Sequence, residues 1–559
     1  MFLITPRPFI FSNGYQIRFN EKPCPHCNLG YVVPEWVEEN PSLSDIKQIY
    51  GSNSTLPTTT IVLPRKPDKV KSVKQQLSSI HPEVLLFLSK IKSLSVREEN
   101  EDPRLNTVSA IAITKETNFR TRESMDAESY TLHLSAEENS TDEQDRECSY
   151  SVWKQKFPVK KKNKVEKRMG VKDRVITLAF PNGKRLRRGR SLPGIYAFLP
   201  TEMVTNFPFI IQADFILASS RETILLDDNW NQGILDCVPL AFINALVSLV
   251  KMREDAPVSS LPRLFQFLPI KSSHYPTLNV VRESIKVKLV EEEIVPSEPF
   301  TEQKFFHKPS EIGRIMPAFW SVLNKARKEG VRFHKLSSHG WHFLSSHFDK
   351  PEYDHILDFL GVGHVNNEWY ARCIRNSNLL MGVSEDVYLQ ILLFVANNWR
   401  TKFCTTTMGD IPLIKYVDRD GSVSLCSINE SAQQNSERLL CRSHETHYIS
   451  WLIDWNKEFG FVGNRFFLPK STQEAILQWL GVEVKVSKIN LCGYAEKVTN
   501  HLNDNRKNTI AYACFLYQSF LQGYLNAEGV DSLCGKMPLV DSYGHVTKVL
   551  GYWHANPTR

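Results

Sequence analysis

The chain has 559 residues, of which 42% are hydrophobic and 23% are charged, a balance typical of globular proteins. This composition excludes wholesale disorder and a fibrous repeat, and the length predicts several domains. The net charge of +7, from 68 basic and 61 acidic residues, is too small to indicate nucleic-acid binding by itself.

Eleven cysteines are scattered along the chain. An odd number without dense spacing favours reduced thiols over a disulfide framework, which predicts an intracellular protein of the nucleus or cytoplasm. The longest apolar stretches, such as LAFINALVSLV at 240–250, are too short to cross a hydrocarbon core. We therefore expect no association with a membrane.

The N-terminal part of the chain predicts a small sheet. Apolar and polar residues alternate over 2–19 around Asn13-Gly14, a pair that tolerates positive φ and favours a hairpin turn. The β-branched run TTTIVLP at 58–64 predicts another strand. The segment HPEVLLFLSKIKSLSVRE at 81–98 predicts a helix that leads into a strand.

The middle of the chain changes in charge and then in apolar periodicity. Residues 99–150 are polar, and their acidic tract at 136–148 has almost no apolar content, which predicts a weakly ordered loop. Basic residues then cluster over 154–190. Strands are predicted at 175–180, 194–202 and 207–222, and a helix is predicted at 230–251. Strands followed by a helix indicate an α+β domain.

An internal similarity marks the C-terminal part of the chain. FDKPEYDHILDFLGV at 348–362 parallels FLPKSTQEAILQWLGV at 467–482, and IPLIKYVDRDGSVSL at 411–425 parallels MPLVDSYGHVTKVL at 537–550. Each copy predicts a helix, a Leu-Gly-Val turn, a longer helical stretch and a hairpin. The hairpins would turn at Asp420-Gly421 and Tyr543-Gly544, so tandem modules are favoured over one large domain.

Three short segments resemble the NO VEIN-type proteins, which are sacsin-like relatives of the GHKL ATPases. MFLIT at 1–5 resembles the strand that follows the glycine-rich lid of that family, and TTTIVLP resembles its last conserved strand. Thr59 then falls on the threonine near the adenine, and Thr58 replaces the usual glycine. ADFILASSRET at 213–223 resembles the middle-domain loop of the ninety-kilodalton heat-shock chaperone, in which Arg221 matches the arginine that reaches the γ-phosphate.

The resemblance implies a Bergerat-type GHKL sandwich, and ATP and Mg²⁺ as cofactors of the complete family protein. It also implies an ATP-dependent, chaperone-like role in plant development. The helix with Glu and Asn, the Asp-x-Gly-x-Gly turn and the lid glycines do not precede Thr59. The chain also has no G-x-x-x-x-G-K-[ST] and no strand-bound G-x-G-x-x-G. We therefore expect an N-terminally truncated fragment that binds no cofactor by itself.

The predicted fold class is α+β and multidomain. We expect a partial GHKL sandwich, a domain similar to the middle domain of the heat-shock chaperone and sacsin, and then tandem α+β modules. The predicted segments are 1–98 as the GHKL remnant, 99–150 as the acidic polar loop, 151–251 as the middle-like domain, 252–310 as a linker, and 311–430 and 431–559 as the two modules.

Arg221 is the predicted site residue with the clearest chemistry. A guanidinium keeps its charge and offers a planar fork of donors to phosphate oxygens. The alternative is that Arg221 forms a salt bridge with Glu222 or another carboxylate at the strand end. Thr59 has a similar alternative, as an ordinary strand threonine.

Cys24-Pro25-His26-Cys27 supplies two thiolates at zinc-knuckle spacing. No second pair follows, so Cys24 and Cys27 are at most half of a metal site, and two ordinary thiols are favoured.

Three functions stay open at this point. The first is a noncatalytic chaperone-like or scaffold fragment that binds protein partners. The second is an ATPase completed by upstream sequence or by a partner chain. The third is a nuclear regulator that grips nucleic acid through residues 154–190, although aromatic residues are sparse there and the acidic tract could balance the charge. We also expect the N-terminal strands to expose an apolar face, which would cause aggregation or dependence on a partner.

Overall fold

The structure is a computed structural model of the chain. Its residues form two compact units, the first comprising 1–252 with 263–289 and the second 253–262 with 290–559. Each unit contains sheets and helices, so the predicted α+β, multidomain class is confirmed. The described residues are 2–22, 32–50, 58–78, 80–98, 102, 104, 106–138, 147–183, 185, 193–251, 258–298, 305–331, 342–376, 379–380, 382–417, 423–429, 438–442, 465–468, 474–483, 486–488, 490–499, 502 and 505–547.

A small antiparallel sheet opens the first unit. Its elements are β1 (Phe9–Ser12), β2 (Tyr15–Arg18), β3 (Glu35–Trp36), α1 (Leu43–Tyr50), β4 (Thr59–Val62), a 3-10 helix (Pro67–Lys69) and α2 (Val70–Ser78). The strands lie in the order β3-β2-β1-β4. Asn13 and Gly14 have φ values of 46° and 85°, so the predicted hairpin turn is confirmed, as is the strand predicted within 58–64.

A larger mixed sheet forms the centre of the first unit. Its strands are β5 (Ser93–Glu98), β6 (Thr107–Arg122), β7 (Ala127–Glu138), β8 (Glu147–Pro158), β9 (Asp173–Pro181), β10 (Gly194–Ala197), β11 (Leu199–Val204) and β12 (Ile210–Gln212). They lie in the order β11-β10-β12-β9-β8-β7-β6-β5. The β10–β12 pair is parallel and the others are antiparallel.

The prediction of a weakly ordered loop over 99–150 is wrong for most of its described residues. They include β6, β7 and the start of β8, and a single sheet crosses the predicted boundaries after residues 98 and 150. Buried apolar residues alternate with polar ones along β7, where Leu132, Leu134 and Ala136 are buried. An average over the composition does not show this alternation. Low average hydrophobicity therefore did not exclude a strand with one buried face.

Two helices pack together beside this sheet. They are α3 (Asn229–Lys251) and α4 (Pro276–Leu289), and 3-10 helices occur at Pro82–Leu85, Glu123–Met125, Lys161–Asn163, Glu166–Arg168 and Val258–Phe267. The predicted linker over 252–310 is thus wrong for 276–289, where proline begins a helix with buried residues three or four positions apart. The helix predicted near 81 is a short 3-10 helix.

Helix α3 is long and apolar enough to span a membrane by length and composition, but 61% of its most apolar window is buried inside the fold. Its Phe242 ring lies 5.0 Å from Phe209 and 6.0 Å from Phe180, both on the sheet side. This is the packing of a core helix, so its hydrophobicity has a structural explanation.

Gly233 allows α3 to lie close to the sheet. A Cβ at this position would stand 2.1 Å from Nη1 of Arg174 and 2.6 Å from Cγ of Asn163. Arg174 is 4% exposed, and its guanidinium carbon lies 4.9 Å from the centroid of the Trp230 ring. The helix therefore packs against the Arg174 and Asn163 side chains at a point where the helix itself has no room for a side chain.

The second unit combines small sheets with helices. Its helices are α5 (Pro317–Lys328), α6 (Asp354–Leu360), α7 (Asn367–Asn376), α8 (Glu385–Asn398), α9 (Glu474–Glu483), α10 (Leu491–Thr499), α11 (Arg506–Leu521) and α12 (Ala527–Cys534). Short 3-10 helices are Pro309–Glu311, Pro351–Tyr353 and Thr407–Asp410, and Trp399–Phe403 is a π-helix. Its strands are β13 (Val295–Pro296), β14 (Phe306–His307), β15 (Ile312–Gly313), β16 (His342–Phe343), β17 (Ile414–Val417), β18 (Val423–Cys426), β19 (Arg438–Arg442), β20 (Arg465–Leu468), β21 (Val486–Lys488), β22 (Leu539–Val540) and β23 (Val546–Thr547).

The two similar C-terminal segments are alike in part. Both predicted hairpins are antiparallel pairs, β17–β18 and β22–β23, and Gly544 has the positive φ of 90° expected of a turn glycine. The other predicted turn, Asp420-Gly421, lies outside the described residues. The Leu-Gly-Val segments differ, because Gly361 ends α6 with a φ of 75° whereas Gly481 lies inside α9.

We expect Gly233→Ala to destabilise the first unit by about 1–3 kcal/mol, because overpacking forces Arg174 or the helix to move. In an open helix position the same change stabilises by about 1 kcal/mol. Gly481→Ala in α9 is the matched control, since nothing lies within 4 Å of its Cβ position. Hydrogen exchange of the full chain, read by mass spectrometry, should show faster exchange in α3 for Gly233→Ala. Unchanged or slower exchange there would contradict the close contact.

Candidate functional site

Residues 216–225, which overlap the ADFILASSRET segment at 213–223, form a tight hairpin-like loop between β12 and α3. Leu217 and Ile224 form an antiparallel bridge, the Ala218 amide donates to the Thr223 carbonyl at 2.9 Å, and the Leu225 amide donates to the Ile216 carbonyl at 3.1 Å. We call this segment the arginine loop. Its backbone is closed by its own hydrogen bonds.

Asn231, at the start of α3, fastens the arginine loop to the helix. Its side chain is fully buried. The Oδ1 atom accepts from the Ile216 amide at 2.8 Å, and Nδ2 donates to the Ile216 and Leu225 carbonyls at 2.8 and 2.9 Å. On the other side, the Glu202 amide of β11 donates to the Glu222 carbonyl at 2.6 Å. The loop is therefore held between a helix and an edge strand.

Arg221 lies at the exposed tip of the arginine loop, where its amide donates to the Ala218 carbonyl at 2.9 Å. Within the described part of the chain it has no salt bridge, so the predicted pairing with Glu222 is not present there. Its φ is 62°. The loop thus holds a cationic side chain outward on a rigid support, which is a geometry suited to an external anion.

The backbone at Arg221 carries a local cost. The described non-glycine residues with positive φ are mostly Asn and Asp, which tolerate this conformation, and the exceptions are Phe198 and Arg221. An arginine in this region costs about 1–2 kcal/mol relative to glycine. The position therefore keeps a guanidinium where glycine would be more stable.

We expect Arg221→Gly to raise the free energy of unfolding of the first unit by about 1 kcal/mol, because glycine adopts this φ without strain. Glu222→Gly is the matched control at an exposed neighbour without positive φ, and it should lower stability by about 0.5–1 kcal/mol. Urea denaturation of the full chain measures both. Destabilisation by Arg221→Gly would show that the side chain has a structural role.

Thr59 begins β4 and is exposed. It lies opposite Ser12 in β1, and the two hydroxyl oxygens are 2.7 Å apart. This is a cross-strand hydrogen bond, as in the strand-threonine alternative, and it lies in a different sheet from that adjoining the arginine loop. Cys24 and Cys27 lie outside the described residues.

The basic stretch over 154–190 is partly neutralised within the fold. Five of its described members form salt bridges with carboxylates, namely Lys154, Lys156, Lys162, Arg168 and Arg185. Lys160, Lys161, Lys164 and Lys167 are exposed and lack a salt bridge within the described residues. The free cationic surface is therefore smaller than the sequence indicated.

A buried carboxylate, Glu83, explains the position of one of these basic residues. Glu83 is 2% exposed and accepts two hydrogen bonds from Arg185, both at 2.6 Å, and one from the Tyr150 hydroxyl. Burial raises the pKa of Glu83, but the Arg185 hydrogen bonds and the nearby positive charges outweigh it and hold the pKa below its usual range. The signal in the sequence was a carboxylate inside the apolar run HPEVLLFL. Arg185 thus has a structural partner.

A comparison with curated proteins finds a relative of the chain. The chain is 27% identical to Protein NO VEIN of Arabidopsis thaliana over 269 residues, which is 45% of this chain and 9% of that protein. This match supports a NO VEIN-like relationship. No protein-family model matches the chain. Because the chain spans so little of NO VEIN, the similarity does not carry over the activity or the partners of the whole protein.

Proposed function

We propose that the chain is a noncatalytic, chaperone-like or scaffold part of a NO VEIN-like protein, located in the nucleus or cytoplasm, that binds protein partners. The developmental role that the resemblance implies would then belong to the complete protein. The observation that carries this proposal is an apolar row on the N-terminal sheet.

The row consists of one residue from each strand of the sheet. Trp36 lies opposite Ile17, Ile17 opposite Ile10, and Ile10 opposite Ile61. Trp36 is 56% exposed and Ile61 is 49% exposed, while Ile10 and Ile17 are half-buried. The sheet therefore presents an uninterrupted apolar stripe on one face.

The opposite face of the same sheet shows how such a surface is normally covered. Phe9 and Phe11 of β1 are buried with Val37 and with Ile46 of α1. A two-faced apolar sheet is expected to have a covering layer on both sides, and exposed contiguous apolar surface marks interaction sites. A partial GHKL sandwich, whose second layer comes from another segment or chain, accounts for the bare face.

We expect the purified chain to self-associate through this row. The double change Trp36→Thr and Ile61→Thr should shift it toward a monomer, because threonine keeps strand propensity without the apolar area. Val280→Glu is the control, as Val280 is 66% exposed on α4 and lies outside the N-terminal sheet. Size-exclusion chromatography with light scattering gives the mass of each species. A monodisperse wild-type monomer would count against the proposal.

An ATPase completed by a nucleotide domain from elsewhere is the second candidate. It is favoured by the arginine loop, which holds Arg221 outward without a carboxylate partner in the described residues. In this case Arg221 would contact the γ-phosphate and stabilise the charge that develops during transfer. Nucleic-acid binding has less support, since five described residues of the basic stretch form salt bridges within the fold, namely Lys154, Lys156, Lys162, Arg168 and Arg185.

A further inference from the structure

A cleft of about 540 Å³ lies in the first unit, on the face of the large sheet beside residues 86–89. Its volume is in the range of small-molecule sites, and apolar and aromatic side chains form much of its wall. The arginine loop and the apolar row of the N-terminal sheet do not line it. The cleft is therefore separate from both of these features.

A polar row crosses the floor of the cleft. Lys154 of β8 lies opposite Thr177 of β9, which lies opposite Gln212 of β12. Thr177 is 8% exposed and Gln212 is 6% exposed. The next row on the same face, through Val152 and Ala179, is buried and apolar. Polar side chains thus occur on this floor where the core pattern would place apolar ones.

The hydrogen bonds fix the direction of the Gln212 amide. Its Oε1 atom accepts from the Phe198 backbone amide at 2.8 Å, so Nε2 is left as the free donor. Neither Gln212 Nε2 nor the Thr177 hydroxyl has a hydrogen-bond partner among the residues that the structure describes. Both residues line the cleft, so the unpaired amide donor and the neighbouring hydroxyl offer two hydrogen bonds to a ligand with complementary groups.

Phe198 places an aromatic ring at the same cleft. It is 53% exposed and has a φ of 66°, a conformation that is strained for a bulky side chain. The bond from its amide to Gln212 holds this conformation. A strained, exposed aromatic residue fastened to a buried polar one is typical of a functional position rather than of packing.

The charges around the cleft balance. Three cationic residues, Lys92, Lys154 and Arg174, line it together with three acidic ones, Glu116, Asp173 and Asp214. Lys92 is paired with Glu116 at 2.9 Å, and Lys154 is paired with Glu128 at 3.4 Å. A site without excess positive charge does not favour a triphosphate.

We propose that this cleft binds an uncharged, planar, hydrogen-bonding ring compound of the nucleoside class. The ring lies against Phe198, and its polar edge accepts from Gln212 Nε2 and exchanges a hydrogen bond with the Thr177 hydroxyl. Aromatic stacking and two hydrogen bonds then supply the affinity. This inference does not depend on Arg221 or on the apolar row, so it fails or stands separately from the proposed function.

Calorimetric titration of the full chain with adenosine, uridine and ATP tests the inference. We expect saturable binding of a neutral nucleoside, with ATP binding no more tightly. Thr177→Val and Phe198→Gly should each weaken nucleoside binding roughly tenfold, since each removes one contact. Thr121→Val is the control, because Thr121 is an exposed strand threonine away from the cleft.

The Phe198→Gly variant distinguishes a loss of nucleoside binding from a loss of stability. Glycine relieves the positive φ, so the melting temperature should rise or stay constant while nucleoside binding falls. The inference is overturned if neither nucleoside binds saturably, if ATP binds more tightly than both, or if the two variants bind like the wild type.

Discussion

The close approach of α3 to β9 at Gly233 is the constraint on which the first unit depends. Because Gly233 has no side chain, the Arg174 guanidinium fits between the strand and the helix, against Trp230. The helix in turn carries Asn231, which fastens the arginine loop, and the aromatic residues that pack on the sheet. A shift of α3 would therefore disturb the core and the arginine loop together.

The two residues with a strained backbone are also held in place by contacts with their surroundings. Phe198 and Arg221 are the described residues with positive φ that are neither glycine nor Asn or Asp, and each is held by hydrogen bonds from its surroundings. One lies at the mouth of a cleft and the other at the tip of an exposed loop. Backbone strain persists only where the surrounding structure fixes it, so both positions are consistent with selection for the side chain rather than for stability.

The sequence predicted the parts of the fold that local chemistry determines. The Asn13-Gly14 hairpin, β4, α3 and both C-terminal hairpins have strong turn or periodicity signals, and the structure has them. Strands β6 and β7 were missed because their exposed faces are polar and their averaged composition is that of a loop. Helix α4 lies inside the predicted linker, where Pro276 begins it, and proline is favoured at a helix start.

Of the candidate site, only the motif that contains Arg221 could be predicted from the sequence. ADFILASSRET indicated Arg221, but its φ and its support by Asn231 depend on tertiary contacts that no local pattern encodes. The Glu83–Arg185 pair joins residues far apart in the chain, and the polar floor of the cleft requires the register of three strands. These features exist only after the sheet has formed.

If the chain is a noncatalytic part of a NO VEIN-like protein, as proposed, it should not hydrolyse ATP by itself. The measurement that tests this most directly is steady-state hydrolysis of ATP with Mg²⁺ by the purified chain, beside an Arg221→Ala variant. We expect no turnover above the blank for either protein. Turnover by the wild type that is lost in the variant would contradict the proposal, because the chain would then contain a complete ATPase site.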